Sequence, residues 1–78
     1  MSNDYKIATA LRAGRSAAYL SQEKFAEMLG VAKSTIARIE TQEMSPKASF
    51  VFDALSLLER HGVTVEIKDD VFIKVKGK

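Results

Sequence analysis

The chain has 78 residues, with 12 basic and 10 acidic side chains, a single histidine and no cysteine. This length corresponds to one small domain, and the lack of cysteine excludes disulfides and thiolate metal sites. A net charge of +2 without a dense basic block predicts only modest nonspecific affinity for a polyanion.

The sequence indicates neither a membrane segment nor a secretion signal. No apolar run reaches the roughly 20 residues that a membrane-spanning helix needs, and residues 1–10 lack a signal-peptide pattern. The absence of cysteine also fits a reducing compartment. We therefore expect a soluble cytoplasmic protein that has no membrane partner.

A first helix is predicted from about Asp4 to Ala18. Ile7, Ala8 and Leu11 recur at helical spacing within it, so these side chains are expected to face the core. The residues that can cap its start are Ser2, Asn3 and Asp4.

Residues 21–29 predict a short helix that ends abruptly. Ser21 can cap its start by accepting a backbone N–H, and Phe25 and Leu29 lie on one face. Gly30 follows, and glycine readily adopts the left-handed conformation that ends helices. We expect the chain to turn at Gly30 and to begin a new helix.

The next predicted helix, residues 33–40, has two chemically different faces. Ile36 and Ile39 fall on one side, which is expected to enter the core. The opposite side carries Lys33, Ser34, Ala37 and Arg38. In the DNA major groove, lysine and arginine donate to guanine, serine bonds to several bases, and alanine contacts the thymine methyl group.

Periodicity alone favours a simpler interpretation, in which this polar face only contacts solvent. Most amphipathic helices have such a face and bind nothing through it. The small Ala26, the bend at Gly30 and the shortness of both helices favour a DNA-reading helix-turn-helix instead.

A fourth helix is predicted to begin with Ser45 as cap and Pro46 at the first helical position, and to end near Arg60. His61, the only histidine, is placed in its last turn, where it is expected to complement the helix dipole. The side chains expected to face inward are Phe50, Val51, Ala54, Leu55 and Leu58.

After Gly62 the pattern changes to strict alternation over residues 63–67 and 71–75, which predicts a β-hairpin. Pairing Ile67 with Val71 keeps all six aliphatic side chains on one face and leaves a three-residue loop, residues 68–70. Asp70 is able to adopt the left-handed conformation in that loop.

Phe72 then points away from the aliphatic face of the hairpin. An exposed aromatic side chain on a small sheet suggests a contact with a second copy of the chain or with another protein. A scattered surface phenylalanine, shielded by lysine stems, explains the same residue equally well.

Together these residues resemble the lambda-repressor-like class, or XRE family, of phage and bacterial transcription regulators. The resemblance spans Leu11 to about Val63. The motifs that carry it are Leu11-Arg12-Ala13-Gly14-Arg15, Ser21-Gln22, Phe25-Ala26, Leu29-Gly30-Val31, Ser34-Thr35-Ile36, Ile39-Glu40 and Ser45-Pro46. The implied fold is mainly α, a four- to five-helix helix-turn-helix domain with a C-terminal β-hairpin.

The resemblance also implies roles for individual residues. The residues implied to contact DNA bases are Lys33, Ser34 and Arg38, with Ala32 and Ala37 near the floor of the groove. The residues implied to contact DNA phosphates are Gln22, Thr35 and Lys47. Arg15 and Glu40 correspond to a structural ion pair between the first helix and the end of the recognition helix.

Three residues depart from the family pattern. Ala32 stands where a capping serine or threonine is common, so the recognition helix lacks a side-chain cap. Gln42 replaces a frequent glycine, which predicts a strained or differently shaped turn. Glu43 places a negative charge in a loop that often lies near the DNA backbone.

The sequence therefore predicts a homodimeric repressor that binds double-stranded DNA without a cofactor or a metal. Residues 1–62 are expected to form the DNA-binding domain, and residues 63–78 a hairpin packed on it. The dimer interface is expected to be formed by the fourth helix and the hairpin. An antitoxin or another protein-interaction module that uses the hairpin is the alternative. An enzyme is not expected, because Asp69-Asp70 fits a turn and no catalytic or metal-ligand spacing occurs.

Overall fold

The computed structural model describes residues 3–76, which form four helices followed by an antiparallel hairpin. These elements are α1 (Asn3–Ala17), α2 (Gln22–Leu29), α3 (Lys33–Glu40), α4 (Ala48–Arg60), β1 (Val63–Ile67) and β2 (Val71–Val75). The mainly α fold with a C-terminal β-hairpin is therefore confirmed. Within the described residues, no helix is both long enough and apolar enough to cross a membrane.

All four helices and β1 contribute to one hydrophobic core. Its buried members are Leu11, Phe25, Ala26, Ile36, Ile39, Ala54, Leu57, Leu58 and Val63. Leu57 was not predicted to face inward. The five α4 residues that were predicted to do so are all buried or half-buried. The core thus holds α2 and α3 against the other helices, and this contact fixes their angle to each other.

The first helix follows its prediction to within one residue at each end. Asn3 and Asp4 lie inside α1 itself, and the third candidate cap, Ser2, falls outside the described residues. At the other end, the N–H of Leu20 donates to the carbonyl of Arg15 at 3.0 Å, across a left-handed Tyr19 with φ of 60°. This tight ending turns the chain directly into α2.

The predicted start of the fourth helix is wrong by two residues. Ser45 and Pro46 both precede α4, and Lys47 occupies the N-cap position in an extended conformation with φ of −69° and ψ of 153°. Proline fixes φ near −65°, which fits the first turn of a helix and an extended segment equally well. His61 likewise lies just beyond the last turn, as the C-cap residue of α4.

The hairpin has the predicted register, in which Ile67 pairs with Val71 and residues 68–70 form the loop. Asp70 does not adopt the left-handed conformation that the loop would allow, because among the described residues only Tyr19 and Gln42 have positive φ apart from glycines. The loop is closed by the N–H of Lys68 donating to the carbonyl of Asp70 at 2.9 Å. Its geometry therefore needs no left-handed residue.

The aliphatic face of the hairpin lies against α1 and α4, but it is covered unevenly. Val63, at the start of β1, is fully buried and belongs to the core. Val75, directly opposite in β2, is 61% exposed. The helices therefore cover β1 more completely than the free edge of β2.

Candidate nucleic-acid interface

The second and third helices are joined by a turn that local chemistry sets. The hydroxyl of Ser21 accepts the N–H of Lys24 at 3.0 Å and so caps α2. Gly30 ends the helix in the left-handed conformation, with φ of 73° and ψ of 30°. The N–H of Val31 then donates to the carbonyl of Ala26 at 3.0 Å, which closes the turn before α3 begins. Both predicted caps are confirmed.

The third helix has one buried face and one exposed face. Ile36 and Ile39 are 2% and 3% exposed and lie in the core, so rotation of α3 about its axis is fixed. Lys33, Ser34 and Arg38 are exposed on the other side. The exposed side chains are thus presented together by a rigid element, as direct reading of base edges requires.

Two alanines complete this surface. Ala32 is exposed at the N-cap position, and it accepts the N–H of Thr35 through its carbonyl at 2.9 Å while its side chain caps nothing. Ala37 is half-buried between the exposed and the core-facing residues of α3. Neither methyl group obstructs the approach of a nucleic acid to the helix.

The structure brings Arg15 and Glu40 together in a nearly buried ion pair. The Arg15 Nε donates to Glu40 Oε2 at 2.7 Å, and its Nη2 donates to Oε1 at 3.1 Å. The Arg15 Nη1 also donates to the Leu20 carbonyl at 2.8 Å. The Glu40 side chain is 4% exposed and that of Arg15 is 16% exposed. This pair joins α1, the link to α2 and the end of α3.

Gln22, which the sequence assigns to a phosphate contact, is also attached to this pair. Its amide Nε2 donates to Glu40 Oε1 at 3.1 Å, and the side chain is half-buried. A glutamine amide carries two hydrogens, so one is committed to Glu40 and the other can be donated outward. No local pattern indicates this contact, because residues 22 and 40 are far apart in the chain.

The other two residues assigned to phosphates lie at the junction of α3 and α4. Thr35 is half-buried and Lys47 is exposed, and both border a shallow depression between the two helices. Apolar side chains form most of its floor, among them Met44 and Phe50. Lys47 therefore has its ammonium group in solvent, whereas Thr35 is partly enclosed by its neighbours.

Comparison with known proteins agrees with this geometry. A family model described as Helix-turn-helix matches residues 11–63, about two thirds of the chain. The chain belongs to the lambda-repressor-like helix-turn-helix family. It is thus a DNA-binding helix-turn-helix protein, and the resemblance noted in its sequence is confirmed. Neither the curated proteins nor the solved structures gave a match to the chain.

The loop after α3 of this helix-turn-helix protein contains a strained residue. Gln42 has φ of 65°, a left-handed conformation that costs a residue with a side chain roughly 1–2 kcal/mol. The N–H groups of Glu43 and Met44 both donate to the Arg38 carbonyl, at 2.7 and 3.2 Å. The Thr41 hydroxyl lies 2.7 Å from Glu43 Oε2 and holds that carboxylate beside the helix end.

Replacing Gln42 with glycine is therefore expected to stabilise the helix-turn-helix protein by about 0.5–1 kcal/mol. Glycine adopts this φ without strain, although it is also more flexible in the unfolded chain. Urea unfolding measures the difference, with Gln42→Ala as the control because alanine removes the side chain and keeps the strain. Equal stabilities for the glycine and alanine variants would refute strain at this position.

Three exposed aromatic residues of the helix-turn-helix protein were not singled out in the sequence, namely Tyr5 and the two more exposed residues Tyr19 and Phe52. Tyr19, between α1 and α2, is 96% exposed, and Phe52, on α4, is 69% exposed. A signal existed for Phe52, because Phe50, Val51 and Phe52 are consecutive and cannot all face inward from one helix. No such signal exists for Tyr19. Its left-handed backbone conformation could not be expected from the sequence, because tyrosine rarely adopts that conformation.

Proposed function

We propose that this helix-turn-helix protein is a sequence-specific transcriptional repressor that binds DNA as a homodimer and reads the major groove with α3. The observation that carries the proposal is the division of α3, with Ile36 and Ile39 in the core and Lys33, Ser34 and Arg38 exposed together. A helix held in this way presents its outer side chains at fixed positions along a groove.

Each exposed residue of α3 has a chemically suitable target. Lys33 and Arg38 donate to the O6 and N7 atoms of guanine, and the Ser34 hydroxyl donates to or accepts from a base edge. The methyl groups of Ala32 and Ala37 approach thymine methyl groups on the groove floor. These contacts give the protein its sequence preference.

Contacts to the DNA backbone come from residues at the helix starts. Gln22 donates its second amide hydrogen to a phosphate, while its bond to Glu40 fixes the direction of the amide. The exposed ammonium group of Lys47 and the hydroxyl of Thr35 supply further contacts on the α4 side. Such contacts set the position of the protein on the duplex and carry no sequence information.

Homodimerisation is proposed because a single copy has little charge with which to hold DNA. One chain carries a net charge of +2, and two copies double the number of phosphate contacts and of recognition helices. The described residues measure 35 Å in their longest dimension, which is compatible with two copies side by side at half-sites about 34 Å apart. Residues 1–62 then bind DNA, and residues 63–78 contribute to the dimer interface.

Repression follows from occupancy alone. A homodimer on a two-fold operator covers DNA that a polymerase must contact, and this effect requires no further surface on the protein. An activator needs an additional contact with the transcription machinery.

The Arg38→Ala variant tests the base-reading role of α3. It is expected to lose about 1–3 kcal/mol of binding free energy on the preferred operator and to relax the preference at one base pair. The measurement is a titration of the operator and of its single-base variants. Arg60→Ala is the matched control, because it removes an exposed arginine from the far end of α4.

The control is expected to weaken binding to all sequences slightly and equally, because it changes only the net charge. Unaltered discrimination among operator variants by Arg38→Ala would show that α3 does not read bases through this residue.

A further inference from the structure

The second strand has an edge whose backbone groups point away from β1. The Lys76 N–H donates to the Gly62 carbonyl at 2.8 Å, and the Lys68 N–H donates to the Asp70 carbonyl at 2.9 Å. Backbone bonding alternates along an antiparallel pair, so the even-numbered residues of β2 bond to β1. The residues that direct their N–H and C=O groups to the other edge are Val71, Ile73 and Val75.

This outer edge pairs with no other strand within the described residues, where β1 is the only strand that pairs with β2. It is also the more exposed part of the hairpin, since Phe72 is 51% exposed and Val75 is 61% exposed. An open edge with apolar side chains is a template for pairing with another strand.

We propose that the homodimer forms by antiparallel pairing of β2 with β2 of a second copy, about a two-fold axis at Ile73. This inference rests on the proposed homodimer and specifies its interface. The two hairpins then form one four-stranded sheet, in the order β1, β2, β2 and β1. Val71, Ile73 and Val75 of each β2 strand exchange backbone hydrogen bonds with the same three residues of the other copy. The Val71 N–H, which donates to Asp70 Oδ1 at 3.1 Å in the single chain, changes its partner to a backbone carbonyl of the second copy.

The side chains of β2 are complementary to themselves in this register. Asp70 lies opposite Lys76 of the second copy, so opposite charges meet at both ends of the paired strands. Phe72 lies opposite Lys74 of the second copy, where the lysine stem and ammonium group cover the aromatic ring. Val75 lies opposite Val71 of the second copy, which covers the most exposed aliphatic side chain of the hairpin.

Neighbouring registers are less favourable. A two-fold axis at Phe72 would stack the Phe72 rings of the two copies. It would also place Lys68 of one copy opposite Lys76 of the other and shorten the paired segment. An axis at Lys74 brings the two Lys74 ammonium groups together, and like charges directly opposite each other destabilise a sheet. Only the axis at Ile73 uses the whole of β2 and pairs every charged residue with a suitable partner.

A strand of five residues buries less area than the interface of a stable dimer, so the free protein is expected to dimerise weakly. Two adjacent half-sites on DNA raise the local concentration of the second copy and complete the dimer. Pairing through β2 is therefore expected to appear most clearly as cooperative binding to a two-fold operator.

The Val75→Pro variant tests the edge pairing directly. Proline removes the N–H that points outward and leaves the bonds between β1 and β2 intact. Sedimentation equilibrium and binding to a two-fold operator are expected to show at least tenfold weaker dimerisation than in the control Val75→Ala. Binding to an isolated half-site is expected to be equal in both variants. Equal dimerisation by the two variants would overturn the edge pairing.

Charge reversal tests the register independently of proline. Asp70→Lys and Lys76→Asp are each expected to weaken dimerisation, and the double variant is expected to restore it. Asp70 also accepts the N–H of Val71 at 3.1 Å, and this bond is lost in Asp70→Lys and in the double variant alike, so restoration relative to Asp70→Lys reports on the contact between copies. If the double variant dimerises as weakly as the two single variants, the proposed register is wrong.

The outcomes separate this inference from the proposed function. A parent protein that reads half-sites but dimerises through another surface refutes only the edge pairing. A parent protein that stays monomeric on a two-fold operator refutes the homodimer as well, while its half-site preference still tests reading by α3.

Discussion

The Glu40→Ala variant is expected to lower the free energy of unfolding by about 3 kcal/mol. Glu40 accepts three hydrogen bonds, two from Arg15 and one from Gln22, in a position where its side chain is 4% exposed. Truncation leaves the Arg15 guanidinium nearly buried without its counter-charge, and an unpaired buried charge is costly. A chain of 78 residues has a total stability of roughly 4–12 kcal/mol, so the loss is a large fraction.

The matched control for this variant is Glu27→Ala. Glu27 also pairs with a basic residue, Lys24, at 3.2 Å, but both side chains are more than half exposed. Such surface pairs contribute roughly 0–1 kcal/mol, so the control is expected to have little effect. Urea unfolding of both variants compares the two pairs, and equal destabilisation would contradict a structural role for the buried pair.

The Gly14→Val variant is expected to destabilise the protein by about 3 kcal/mol, because α1 passes too close to its neighbours for a side chain. A Cβ at residue 14 would lie 2.6 Å from Leu58 Cδ1 and 3.0 Å from Val65 Cγ2. Leu58 is completely buried, so it has no free space into which to move. Overpacking of a core in this way costs about 1–3 kcal/mol and displaces the hairpin from the helices.

Ser16→Val is the control for this substitution. Ser16 is exposed on the same helix, so the variant introduces the same β-branched side chain without a clash. It is expected to change stability by less than about 0.5 kcal/mol. Thermal unfolding distinguishes the two, since about 3 kcal/mol corresponds to more than 10 °C for a domain of this size. A Gly14→Val protein as stable as the control would show that the close approach is not required.

Elements set by local chemistry were predictable from the sequence. The end of α2 follows from Gly30, because few other residues adopt its φ without strain. The hairpin register follows from the alternation of side chains between the two faces of a strand. Shifting the pairing of Ile67 with Val71 by one residue would put the aliphatic side chains of the two strands on opposite faces. In both cases one local rule excludes the competing structures.

Elements that depend on tertiary contacts were not predictable. The start of α4 was placed too early because the fixed φ of Pro46 is compatible with two backbone conformations. The left-handed Tyr19 occurs where the chain must turn between packed helices, and its side chain gives no local reason for it. Gln42 is different, because its replacement of a frequent glycine already predicted the strained turn that its φ of 65° shows.

The candidate site shows the same division. The exposed residues of α3 follow from helical periodicity, because Ile36 and Ile39 identify the buried side. The bond from Gln22 to Glu40 does not follow from any local pattern, since it depends on how α2 and α3 are packed. The free edge of β2 required the structure too, because the pattern of the strand does not tell which neighbours cover it.

Selection of bound sequences from random double-stranded DNA tests the central claim most directly. We predict that the protein enriches a two-fold symmetric motif whose half-sites are centred about 10 base pairs apart. The same selection with a Lys33→Ala, Arg38→Ala double variant is predicted to lose the specified bases within each half-site. The absence of any enriched motif, or a motif that the double variant enriches unchanged, would contradict reading of DNA by α3.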